Sequence, residues 1–66
     1  MQIQVNGKPM SVDSNCTLQS LLDTLTITGG RLAVEVNEEI VPRSEHDTHR
    51  LVEGDVVEIV HAIGGG

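Results

Sequence analysis

Met1, Ile3 and Val5 alternate with Gln2, Gln4 and Asn6, which is the period of a strand with one buried face. Asn6-Gly7 follows at once, and both residues tolerate the positive φ angles of a two-residue type I′ hairpin turn. That turn sets Val5 opposite Lys8, Ile3 opposite Met10 and Met1 opposite Val12. All the apolar side chains of the hairpin then share one face, and Lys8 at the tip extends into water. After the polar stretch 13–15, Leu18, Leu21, Leu22 and Leu25 recur at helical spacing and make one apolar stripe. Thr17 is the expected N-cap, with Gly29-Gly30 ending the helix. A helix this short does not hold alone in water, so its stripe is expected to lie on the apolar face of the hairpin.

Leu32, Val34 and Val36 alternate with Ala33 and Glu35, giving a third strand. A three-residue loop at Asn37-Glu38-Glu39 is expected, because it keeps Ile40 inside opposite Val36, whereas a two-residue loop turns Glu39 inward uncompensated. Ile40-Val41 reads as a short strand stopped by Pro42, which belongs at a sheet edge. Residues 43–50 are polar and read as an irregular, solvated connection with a helical turn near Ser44-Glu45-His46. Leu51-Val52 are expected to return to the core, and Glu53-Gly54-Asp55 to turn into the last strand. In that strand Val57 and Ile59 fall on one face and Val56, Val60 and Ala62 on the other, with Glu58 the only charge among them. A strand apolar on both faces belongs in the middle of a sheet, yet one helix covers only one face. The row Val56, Glu58, Val60 and Ala62 is therefore expected to stay partly open as a partner-docking surface. His61 either joins that surface or is the solvated end of the strand.

Sixty-six residues make a single domain that buries about 60% of the surface its unfolded chain exposes. With no Phe, Tyr or Trp, burial rests on aliphatic side chains, so the core is thin and the stability modest. Ten acidic against four basic residues give a formal charge of −6, which speaks against nucleic acid and anionic membrane surfaces and for a basic patch on another protein. The opening Met1-Gln2-Ile3-Gln4-Val5 lacks a basic region followed by an apolar block, and no apolar run approaches the roughly 20 residues that span a bilayer, so neither secretion nor membrane embedding is expected. The single cysteine, Cys16, forms no internal disulfide and suits a reducing compartment, the cytoplasm. Lying just before the helix cap it could be activated by the helix end, but no His or Lys stands near it, and a structural or incidental role is expected. His46 and His49 have the spacing of two ligands on a helix face without an evident third, so a solvated loop and no metal site is expected there.

The chain passes from the last strand through Ile63 into Gly64, Gly65 and Gly66. Three terminal glycines can be a frayed end. They can equally be a tail that enters a slot too narrow for any side chain and presents a free carboxylate there. An α-carboxyl with a pKa of about 3.5 is ionised at neutral pH and has poor leaving groups, so a partner must activate it.

The whole chain resembles the ThiS family, the small sulfur carrier proteins of thiamine biosynthesis. The resemblance rests on its length, on the opening Met1-Gln2-Ile3 strand with its Asn6-Gly7 turn, and on two longer segments. One is Val36-Asn37-Glu38-Glu39-Ile40-Val41-Pro42-Arg43; the other is Gly54-Asp55-Val56-Val57-Glu58-Ile59-Val60-His61-Ala62-Ile63 leading into the glycines. It implies an α+β ubiquitin-like β-grasp fold: a mixed sheet of about five strands, the last parallel to the first, with one main helix on one face. Residues 1–63 would form the domain and 64–66 the tail. The resemblance further implies that the Gly66 carboxylate is adenylated by an E1-like adenylyltransferase of the ThiF type, using ATP and magnesium. A sulfur donor protein then supplies the sulfur of a C-terminal thiocarboxylate (1-thioglycine), which a thiazole synthase of the ThiG type consumes. Gly65 matches the family's terminal pair, and Gly64 is an extra small residue. The carrier itself is not an enzyme and contributes no catalytic side chain. The related small subunit of molybdopterin synthase shares this chemistry, but His61-Ala62-Ile63 stands where that family has a proline-containing approach to its glycines. A ubiquitin-like modifier conjugated to lysines, and a plain interaction domain with a disordered end, are the remaining readings.

Overall fold

A computed structural model describes residues 1–25 and 31–62; the side chains of residues 31, 61 and 62 lie outside that description. The chain reverses at Asn6 and Gly7, whose φ angles of 51° and 82° place both in the left-handed region that a type I′ turn requires. Strand β1 (Gln2–Val5) thereby pairs antiparallel with β2 (Lys8–Ser11), Val5 facing Lys8 and Ile3 facing Met10. The pairing continues past the strand ends: the Met1 ammonium donates to the Val12 carbonyl at 2.7 Å, and the Val12 N–H donates back to the Met1 carbonyl at 2.9 Å. Ile3 and Val5 are buried, and Met1, Met10 and Val12 pack half-buried beside them.

Helix α1 (Leu18–Thr24) starts at Thr17, whose Oγ1 accepts the Ser20 N–H at 3.1 Å. A cap of this kind contributes about 1 kcal/mol. Leu18, Leu21 and Leu22 are buried and Leu25 half-buried, so the stripe lies on the sheet as the spacing requires. The helix stops at Thr24 with Leu25 as its C-cap, short of the expected end at Gly29-Gly30, which lie outside the described residues. Thr24, Thr26, Ile27 and Thr28 are β-branched and propagate a helix poorly, which explains the early stop.

Strand β3 (Arg31–Val36) turns into β4 (Glu39–Ile40) through two residues, not the expected three. Asn37 and Glu38 hold φ angles of 52° and 70°, and the register sets Val36 against Glu39 and Glu35 against Ile40. Asn37 is what forces the tight turn. Its N–H donates to the Val56 carbonyl at 2.8 Å, its Nδ2 donates to Asp55 Oδ1 at 3.0 Å, and its Oδ1 accepts the Val56 N–H at 3.0 Å. Glu39 suffers no burial, because β4 is an edge strand beyond the helix, and Ile40 is 71% exposed rather than inside.

Beyond Val41 and Pro42, a 3₁₀ turn (Arg43–Glu45) leads to His46. His46 is not part of a solvated loop: it is buried, and its Nε2–H donates to the Val41 carbonyl at 3.0 Å. The next segment zips onto the helix entrance, with Leu18 N–H bonding the His49 carbonyl at 3.0 Å and Leu51 N–H the Cys16 carbonyl at 2.9 Å. Leu51 enters the core as expected, while Val52 remains 59% exposed. Asp55, expected merely as a turn residue, is buried and accepts the Val52 N–H at 2.9 Å as well as the Asn37 amide. Truncating it orphans both donors, so Asp55→Ala is expected to destabilise the fold by about 1–3 kcal/mol, read as a lowered urea midpoint.

Strand β5 (Val56–Ala62) completes a five-stranded sheet of order β2-β1-β5-β3-β4. It runs parallel to β1 and antiparallel to β3, and α1 covers one face. Ile3, Leu18, Leu21, Val34, Leu51 and Val57 are the most enclosed large side chains and mark where sheet and helix meet.

Candidate functional site: the central strand and its open face

β5 owes its central place to partners of unequal length. β3 accompanies it from Val57 opposite Val36 to Ala62 opposite Arg31. β1 pairs with it only at Val56 and Val57. Where β1 gives out, Asn6 extends the ladder by one step: its N–H donates to the Val57 carbonyl at 2.9 Å, and its side-chain Oδ1 accepts the Ile59 N–H at 2.7 Å. The turn residue of the first hairpin thus also fixes the strand that leads toward the glycines. Gly64, Gly65 and Gly66 lie outside the described residues.

The two faces of β5 divide as the sequence predicts. Val57 and Ile59 are buried under the helix; Val56 and Val60 are 38% and 60% exposed, and Glu58 is exposed between them. Ala62 holds the next register position of that open row, opposite Arg31; its side chain lies outside the described residues. His61 pairs with Leu32 and so occupies a position off this row. Two members of the open face were not expected. Ile40 joins it because of the two-residue turn, and Glu35 joins it opposite Glu58. The signal for Glu35 was present in the alternation of β3, where it is the outward residue between Val34 and Val36.

Cys16 is no nucleophile in this setting. Its thiol is buried and donates to the Thr17 carbonyl at 3.4 Å. Burial, and next the Asp13 carboxylate, push its pKa above the ordinary thiol range, which is opposite to what a reactive cysteine needs. Since the unfolded chain ionises first as pH rises, stability should fall once pH passes the ordinary thiol value, and native Cys16 should alkylate far more slowly than the denatured chain at pH 8. The His46 ring is hydrogen-bonded to the Val41 carbonyl, and the described residues contain no group of three or more His, Cys, Asp or Glu placed to hold an ion. No described helix is long and apolar enough to cross a membrane.

A mixed five-stranded sheet with its last strand central and parallel to its first, crossed on one face by a single helix, is the architecture of a ubiquitin-like β-grasp protein. A ThiS protein from Geobacter metallireducens, solved by crystallography, shares it with a TM-score of 0.84, 35% identity and full coverage of both chains. The chain belongs to the ThiS family, whose model matches residues 3–66. Among curated relatives, a thiazole synthase of Magnetococcus marinus is 39% identical over 66 residues, covering all of this chain. The chain spans only 20% of that relative's length. The sulfur carrier protein ThiS of Bacillus subtilis is 35% identical over 65 residues, with 97% of this chain and 98% of the relative covered. The sulfur carrier protein ThiS of Escherichia coli is 32% identical over 66 residues, with both chains fully covered.

Proposed function

We propose that this chain is a sulfur carrier for building the thiazole of thiamine, with residues 1–63 as the holder and Gly64, Gly65 and Gly66 as the tail. The observation that carries the reading is its match along essentially the entire length of two proteins named sulfur carrier protein ThiS. The thiazole synthase relative adds support for the partner, since about one fifth of it is similar to this whole chain. In the reaction, a ThiF-type adenylyltransferase directs the Gly66 carboxylate onto the α-phosphorus of magnesium-bound ATP, releasing pyrophosphate. A sulfur donor protein then supplies sulfide equivalents that displace AMP and leave a thiocarboxylate. The ThiG-type thiazole synthase takes that sulfur. The carrier supplies no catalytic side chain and binds neither ATP nor magnesium itself. Its compartment on this reading is the cytoplasm, which a lone buried thiol and a need for ATP support.

Intact-mass spectrometry tests the reading: with activating enzyme, ATP, magnesium and a sulfur source, the mass should rise by the difference between sulfur and oxygen. No shift with an enzyme shown to be active on another carrier would overturn it, and transfer to protein lysines would point to a modifier instead. The charged protein should bind thiazole synthase and not the large subunit of molybdopterin synthase.

The row Val56, Glu58, Val60 and Ala62 is the surface on which the activating enzyme docks. Val60→Asp places a charge amid exposed apolar side chains and is expected to weaken that complex about tenfold or more. Because Val60 is 60% exposed, the fold should survive with a loss of no more than about 1 kcal/mol. Calorimetric binding beside a urea titration checks both halves.

A further inference from the structure

The open face of the sheet carries one arrangement that folding alone disfavours. Glu35 on β3 stands directly opposite Glu58 on β5, the first half-buried and the second exposed. Asn37 N–H donates to the Val56 carbonyl at 2.8 Å, so by the alternation of an antiparallel ladder Glu35 and Glu58 are also a hydrogen-bonded pair, their Cα atoms about 5.5 Å apart. Like charges directly opposite on a sheet face repel and weaken it. The positions around them are uncharged: Val56 and Val60 flank Glu58 along β5, Ala33 precedes Glu35 on its side of β3, Ile40 faces Glu35 from β4, and Gln4 faces Val56 from β1. The face therefore has two carboxylates at its centre, with Val56, Val60, Ala33 and Ile40 and the uncharged polar Gln4 and Asn37 around them. That inverts the usual apolar centre and polar rim of an interface.

We propose that Glu35 and Glu58 together form the seat for one arginine of the protein that docks on this face during tail activation. This deepens the carrier reading and rests on it. A guanidinium presents donors on two edges of a rigid plane, so a single arginine can bond a carboxylate on each side where a lysine offers one point charge. Val56, Val60 and Ile40 would exclude water from that contact and strengthen it. The chain's formal charge of −6 steers the same kind of partner toward it. The repulsion left in the free carrier is relieved only on binding, which makes the pair a specificity device rather than a stabilising one.

The test uses the full chain and the adenylyltransferase of the same organism, with binding measured by calorimetry at low and high salt. Glu35→Gln and Glu58→Gln should each weaken binding about tenfold or more and flatten its salt dependence. The double variant should lose less than the product of the two, because both act on one guanidinium. Thermal midpoints should stay level or rise. Binding equal to wild type, or a loss of binding matched by a fall in thermal midpoint, overturns the proposal. If wild type acquires the sulfur mass shift and Val60→Asp fails to bind, while both Gln variants bind normally, the arginine seat is wrong and the carrier reading stands. If wild type is never charged by an active enzyme, both fall.

Discussion

Removing Gly66 is expected to abolish the gain of sulfur mass altogether while leaving the urea midpoint where it was. The two halves of that expectation have separate causes. The proposed adenylation needs one carboxylate placed within reach of the α-phosphorus of ATP, and a tail one residue shorter draws its acid back by about 3.3–3.6 Å. Misplacement of even 1 Å can slow a positioned reaction about a hundredfold, so a shift of that size leaves no measurable turnover. Stability should not follow, since the buried apolar side chains of the described residues run from Ile3 to Ile59. A second variant separates reach from shape. Gly65→Val keeps the length and the acid but adds a β-branched side chain, and a slot admitting only backbone should then cut charging about a hundredfold. Normal charging of either variant, read by intact mass, would show that the terminal glycines are incidental.

Where sequence reading succeeded, the deciding interactions were local. Asn6-Gly7 dictates its turn through its own φ preferences, and the register of Ile3 with Met10 follows from that turn alone. Thr17 caps its helix through a bond to a residue three positions on. The two faces of β5 follow from strict alternation, as do the buried Val34 and Val36 of β3. The failures share the opposite property. The β3–β4 turn is settled by Asn37 bonding Asp55 and Val56, 18 and 19 residues away, and no local pattern announces such a bond. A two-residue turn is costly only where every residue facing the helix side is covered, and Glu39 on an edge strand is not. Val52 and His46 exchanged the places expected of them for a similar reason. Hydropathy puts valine inside and histidine out, but His46 has the Val41 carbonyl to satisfy it and Val52 has nothing to cover it. Strand order was legible only through the family resemblance, because periodicity assigns faces and not neighbours. The same limit hid the facing of Glu35 and Glu58, which alternation alone marks as two unrelated outward residues.

Leu21→Ala is expected to bring the domain close to unfolding. Leu21 is fully buried on the helix stripe, and deleting its branched end removes apolar burial and leaves a void, at a combined cost of about 2–5 kcal/mol. A chain of 66 residues holds a total stability of only about 3–10 kcal/mol. The loss is therefore a large share of everything available. Nothing in the described core offsets it, because there is no aromatic side chain to swing into the gap and, among the described residues, only one α-helix covers the sheet. A urea titration should show the midpoint falling by about a fifth or more, with the steepest case being a chain partly unfolded before denaturant is added. Val60→Ala, on the same sheet but its open face, should shift stability by less than about 0.5 kcal/mol. That contrast ties structure to use. The side of the sheet that stabilises the domain is the one its helix covers, so on the proposed reading the other side is the one that meets a partner, and substitutions on it should alter partner binding long before they alter the fold.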